Sequence, residues 1–162
     1  AVSGTNGPIV SGTAVTVSGS SVTFTGIPSW AKRITVMFQG VVKASGTSAM
    51  LIRLGTSGGI VSTGYASGMC YTGVSSGGST TTVGLPVNNG NAAGDTVSGN
   101  AIITNINGNA WVHSSVLGQT NSGYMVLGGG GITLGAALTQ LQITFVTGTD
   151  TFSAGTINIL YE

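Results

Sequence analysis

Apolar and polar residues alternate along much of this chain with a period of two, the spacing of a strand that turns one face inward. The clearest run is Lys32 to Val42, where Ile34, Val36 and Phe38 share one face and Arg33, Thr35, Met37 and Gln39 the other. Met50, Ile52 and Leu54 repeat it with Arg53 outward. Near the end, Leu141, Ile143 and Phe145 alternate with Gln140, Gln142 and Thr144, and Ile157, Ile159 and Tyr161 with Thr156, Asn158 and Leu160. Near the start, Val15 and Val17, then Val22 and Phe24, stand either side of Gly19 and Ser20 and predict a hairpin-like pair. Residues 60–71, 80–85, 101–106 and 110–117 predict further strands, parted by turn-rich clusters at 75–79 and 88–94. Asn107-Gly108 is a strong hairpin signal, and the glycine run 128–131 reads as a sharp irregular link.

About ten short strands with no helical segment between them predict an all-β fold, an antiparallel β-sandwich of jelly-roll-like kind. Residues 1–13 lack periodicity and contain Pro8 and several glycines, so they read as an N-terminal arm or linker. Residues 14–162 read as one sandwich domain, with the C-terminal strand ordered and near a sheet edge or an interface.

Composition sharpens this picture at one point, charge. Four Lys and Arg against three Asp and Glu leave 4% of residues charged and a net charge of +1, where soluble domains carry about 25%. Ser, Thr, Asn and 29 Gly take the outward positions instead. Four scattered cations, Lys32, Arg33, Lys43 and Arg53, make no stripe to neutralise phosphates, so nucleic acid is not an expected partner. Apolar runs are too short for a membrane helix, ten scattered aromatics make no barrel girdle, and no membrane insertion is expected. No signal peptide is visible, and the lone Cys70 carries no disulfide signature. Near-neutral charge removes the repulsion that keeps monomers apart, which suits a chain that assembles with itself.

Candidate chemistry is thin. Asp95 and Asp150 sit in turn sequences where Asp satisfies backbone groups, and a glycan-cleaving acid–base pair is the enzymatic alternative. Cys70, between Met69 and Tyr71, reads as a buried inert thiol rather than a nucleophile. The glycine run matches no nucleotide-binding spacing, and no second ligand lies near His113, so neither cofactor nor metal is expected. Surface binding is the remaining reading. Trp30 and Trp111 offer flat faces on which a sugar can stack, although packing is the commoner fate of a tryptophan. His113 runs in phase with Trp111 and reads as half-exposed beside it, and Asn88, Asn89 and Asp95 lie in a turn-rich loop.

Two blocks carry a resemblance. The run IPSWAKRITVMFQGVVKASGTSAMLIRLGTSGGIVSTGY (27–65) and the ending TQLQITFVTGTDTFSAGTINILYE (139–162) resemble, in the same order, segments of tail-fibre and related structural proteins of tailed phages. The resemblance implies a non-enzymatic virion part, a β-rich module that forms a homotrimer, meets other virion proteins and contacts the host surface, with the loops 75–79 and 88–95 against glycan. It implies a place in the virion after synthesis in the host cytoplasm, with the tail favoured over the head. The alternative within the same setting is a capsid decoration protein that trimerises on the head and is strapped down by residues 1–13.

Overall fold

The computed structural model describes residues 8–90 and 92–162. Fourteen strand segments appear among them and no helix: β1 (Val10–Ser11), β2 (Val15–Thr16), β3 (Ser21–Thr25), β4 (Arg33–Lys43), β5 (Met50–Thr56), β6 (Gly59–Ile60), β7 (Ala66–Gly73), β8 (Gly77–Thr81), β9 (Leu85–Pro86), β10 (Thr96–Asn107), β11 (Ala110–Gln119), β12 (Tyr124–Thr133), β13 (Gln140–Phe145) and β14 (Phe152–Tyr161). They form two antiparallel sheets. The larger runs β1-β14-β4-β10-β11-β12-β7-β8, with β2 also on β14; the smaller runs β3-β13-β5-β6, with β9 also on β5. The fold is a β-sandwich, as the alternation predicts. Its strand order, which includes a β10-β11-β12 meander, does not by itself make it a jelly roll.

The strongest sequence patterns point inward as expected. Ile34, Val36 and Phe38 of β4, Ile52 and Leu54 of β5, Leu141, Ile143 and Phe145 of β13, and Ile157 and Ile159 of β14 join one buried cluster between the sheets. Fully burying such a side chain contributes about 1.5–3 kcal/mol relative to leaving it exposed. That contribution holds the strand register, because a slip of one residue would turn the whole apolar set to solvent. The Asn107-Gly108 hairpin also forms, with Gly108 at φ +52° and Asn107 paired with Ala110.

Several local expectations are corrected by tertiary pairing. Val15 and Phe24 do not share a hairpin: β2 joins β14 of the large sheet and β3 joins β13 of the small one. The chain changes sheets near Gly19, whose φ of +67° permits the turn. The expected strand 60–71 divides into β6 and β7 in different sheets, and 80–85 into β8 and β9. The glycine run 128–131 is not a link; it lies within β12, paired to β11 on one side and β7 on the other. Of the expected arm, residues before Pro8 lie outside the described residues, while Val10 and Ser11 pair with Tyr161 and Leu160 of β14. The terminal strand β14 therefore lies one strand in from the edge, flanked by β4 and by β1 and β2.

Candidate functional site

Loops gather at the end of the sandwich where β4 finishes and β10 begins. Lys43 closes β4, and its backbone exchanges hydrogen bonds with the 94–95 turn: Lys43 N donates to Asp95 O at 3.1 Å and Gly94 N to Lys43 O at 2.8 Å. The side chain is buried, donates from Nζ to Ser48 O at 3.0 Å, and lies 5.8 Å from the centre of the Phe145 ring. Burial lowers the Lys43 pKa, and the Asp150 and Asp95 carboxylates oppose that shift. A buried ammonium is tolerable only with such partners.

Asp150 clamps the 44–49 loop. Its carboxylate accepts from Ser48 N at 2.8 Å, Ser48 Oγ at 2.7 Å and Thr147 Oγ1 at 3.0 Å. Burial works against the charged form, but the Ser48 and Thr147 hydrogen bonds and the Lys43 ammonium together hold its pKa below the usual value. Asp95 is likewise buried and accepts from Gln119 Nε2 at 3.3 Å and Ser122 Oγ at 3.1 Å. Asn121 links the same two loops, donating to Gly94 O at 2.7 Å and accepting from Thr96 N at 2.9 Å. Ser75 Oγ meets the Tyr124 hydroxyl at 3.1 Å, which brings the 74–76 connection into the same cluster. The outward side chains here are uncharged: Ser45, Thr47, Asn121, Thr147 and Thr149 are exposed.

The expected binding residues do not assemble into one surface. Asn88 is buried, its Oδ1 accepting from Gly90 N at 3.0 Å, so it shapes its own loop rather than facing out. Asn89 is half-buried beside it. Asp95 is a brace beneath the surface. Trp30 is 42% exposed at the opposite end of the sandwich, its ring 5.6 Å from that of Tyr161.

Trp111 and His113 do share a face of β11, as their phase implies, but that face points inward and both are 5% exposed. No hydrogen-bond partner is found among the described residues for Trp111 Nε1, either His113 nitrogen or Ser115 Oγ, three successive inward positions of β11. Burial pushes the His113 pKa down to about 4. A surface patch at these positions is excluded by geometry. Cys70, expected inside, is exposed, because on β7 it faces away from the small sheet.

The pattern missed a different feature. Val112, Val116, Met125 and Leu127 are 40–51% exposed on the outer face of β11 and β12. The signal was present: Met125, Val126 and Leu127 are apolar in succession, so the strand is apolar on both faces. Among the described residues no group of three or more His, Cys, Asp or Glu comes together to hold a metal ion. No helix is long and apolar enough to cross a membrane. No protein-family model, no curated protein and no solved structure matches the chain.

Proposed function

We propose that this chain is a non-enzymatic structural protein of a tailed-phage virion, a tail-fibre or receptor-binding module that assembles with copies of itself and presents its loop end to host-surface glycan. The observation that carries the reading is the loop end itself. Lys43, Asp95 and Asp150 are turned inward to brace the loops, leaving an exterior of hydroxyls and amides. Val74 and Val146 are exposed among them; such an uncharged exterior suits weak hydrogen bonding and apolar contact with sugars, and copies held together multiply that weak affinity. The same bracing speaks for a structural rather than an acid–base role for Asp95 and Asp150.

A virion preparation labelled with antibody to this chain tests the location, and label at the tail is the expected result. Adsorption to host cells tests the loops: Thr47→Lys with Thr149→Lys places charge on exposed positions and is expected to reduce adsorption at least tenfold. Unchanged adsorption would sink the glycan reading. One observation favours the decoration alternative: the segment from Ile9, 66% exposed, to Gly12 lies along β14 at the edge of the sheet. Label over the head, with head binding abolished by deletion of residues 2–13, would establish that reading instead.

A further inference from the structure

The outer face of the larger sheet is broad and without charge over nearly its whole extent. Seven neighbouring strands, β14 to β8, carry it. Arg33 is the only charged outward side chain in these strands among the described residues, and it sits at a corner, 3.2 Å from Glu162. Strand spacing of about 4.8 Å across six intervals, and about 20 Å along the six steps of β4 from Arg33 to Gln39, give a plane of roughly 600 Å² before side-chain relief is added. A stable interface covers about 800 Å² of accessible surface per partner, so the face is of the size needed.

Its relief is equally specific. Val116 and Leu127 are directly paired across β11 and β12 and form an apolar ridge. The next row but one, Ser114 paired with Gly129, is low, and Val112 rises beyond it. Nothing among the described residues explains glycine at 129: it has no positive φ, and an added Cβ would meet no atom nearer than 3.9 Å. An interior strand glycine weakens a strand and often marks a bulge, a bend or the close approach of another backbone or a ligand; the pairing register runs unbroken through Gly129 on both sides, so no bulge accounts for it.

We propose that this face docks against the same face of a second copy of the chain, with the Val116–Leu127 ridge of one copy seated in the Gly129 trough of the other. The occupant follows from the chemistry. A face without charge has no attraction for nucleic acid or an acidic or basic peptide, whereas a second copy meets it without repulsion and brings both the ridge and the trough that accepts it. The inference rests on the self-assembly part of the proposed function and names the surface responsible, a two-fold pairing in place of the homotrimer that the resemblance implies.

Sedimentation of the full chain over a range of concentrations tests it, with three variants. Gly129→Thr fills the trough at a position with room in the isolated chain, Val116→Asp charges the ridge, and Val146→Asp alters an exposed apolar residue at the loop end as a control. The expected result is a wild-type oligomer whose dissociation constant rises at least tenfold in the first two variants and not in the control, with circular dichroism unchanged in all. Cys70, outward on β7 and paired with Leu127, supplies a second readout: its reaction with a thiol reagent is expected to slow on assembly. A wild type that stays monomeric would overturn both this inference and self-assembly. An oligomer untouched by Gly129→Thr and Val116→Asp would overturn the face alone and leave self-assembly standing.

Discussion

His113 and Asp150 show how a single ionisable side chain in a nearly uncharged protein acquires a defined pH dependence. His113 titrates near 6.5 when unfolded and at about 4 when folded, because burial disfavours its charged form. Between those values the unfolded chain binds the extra proton, so stability is full above pH 6.5 and falls as pH drops toward 4. At about 1.4 kcal/mol per unit of displacement, the loss is capped at about 3–4 kcal/mol. Urea midpoints at pH 7.5 and 4.5 should therefore differ for the wild type, and His113→Gln should remove most of that difference. Asp150 acts in a separate window. Its folded pKa is depressed, so the stability it contributes is present above the ordinary carboxylate value and is lost as pH falls below it. Asp150→Asn leaves Ser48 and Thr147 with a weaker acceptor and removes a countercharge from Lys43. A cost of about 1–3 kcal/mol is expected, with faster amide exchange in the 44–49 loop as the local readout.

At the level of the strand, β12 holds glycines that look alike in sequence and differ in structure. A Cβ on Gly128 would overlap Pro86 O of β9 and crowd Ser115 Oγ and His113 Cε1, whereas Gly129 faces out with nothing nearer than 3.9 Å. Gly128→Ala should therefore cost upwards of 2 kcal/mol by forcing β9 away from β12, while Gly129→Ala should be neutral or stabilising by about 0.5–1 kcal/mol. Thermal melts of the two variants decide it, and equal effects would count against the close β9–β12 approach. The same strand explains a failed expectation: a glycine run punctuates a chain when only local conformation is considered, yet pairing with β7 and β11 on both sides suffices to keep it extended. Local propensity also suggested a hairpin around Gly19, and it lost to the longer pairings of β2 with β14 and β3 with β13.

For the whole molecule, the distribution of its seven charges matters more than their sum. Lys43, Asp95 and Asp150 lie together under the loop end, Arg33 and Glu162 pair at a corner, Lys32 is exposed just before β4, and Arg53 on the small sheet donates from Nε to Val83 O at 2.9 Å. Arg33 apart, the large outer face is left to apolar, hydroxyl and amide groups. If that face holds copies together, the association is driven by apolar burial, so raising sodium chloride from about 0.05 to 0.5 M should barely weaken it. Cooling should loosen it, as hydrophobic contacts do. Sedimentation at the two salt concentrations and at two temperatures checks this, and a steep loss of assembly with salt would point to charge pairs that the face does not possess.

From the residues alone, period-two alternation determined the all-β class and the inward residues of β4, β5, β13 and β14, because a strand with one buried face must alternate whatever it pairs with. The Asn107-Gly108 turn was legible for a similarly local reason, the positive φ that glycine supplies there. Which strand lies beside which was not local. Tertiary structure alone decided that β2 and β3 belong to different sheets, that the glycine run is extended, and which face of β11 is the inside. Alternation on β11 set Trp111 and His113 apart from Val112 and Val116, but both sets are apolar or aromatic enough to be either face. The choice was made by the small sheet, which covers one side of β11 and leaves the other open, so the residues expected at the surface became core and the outward valines became the candidate interface.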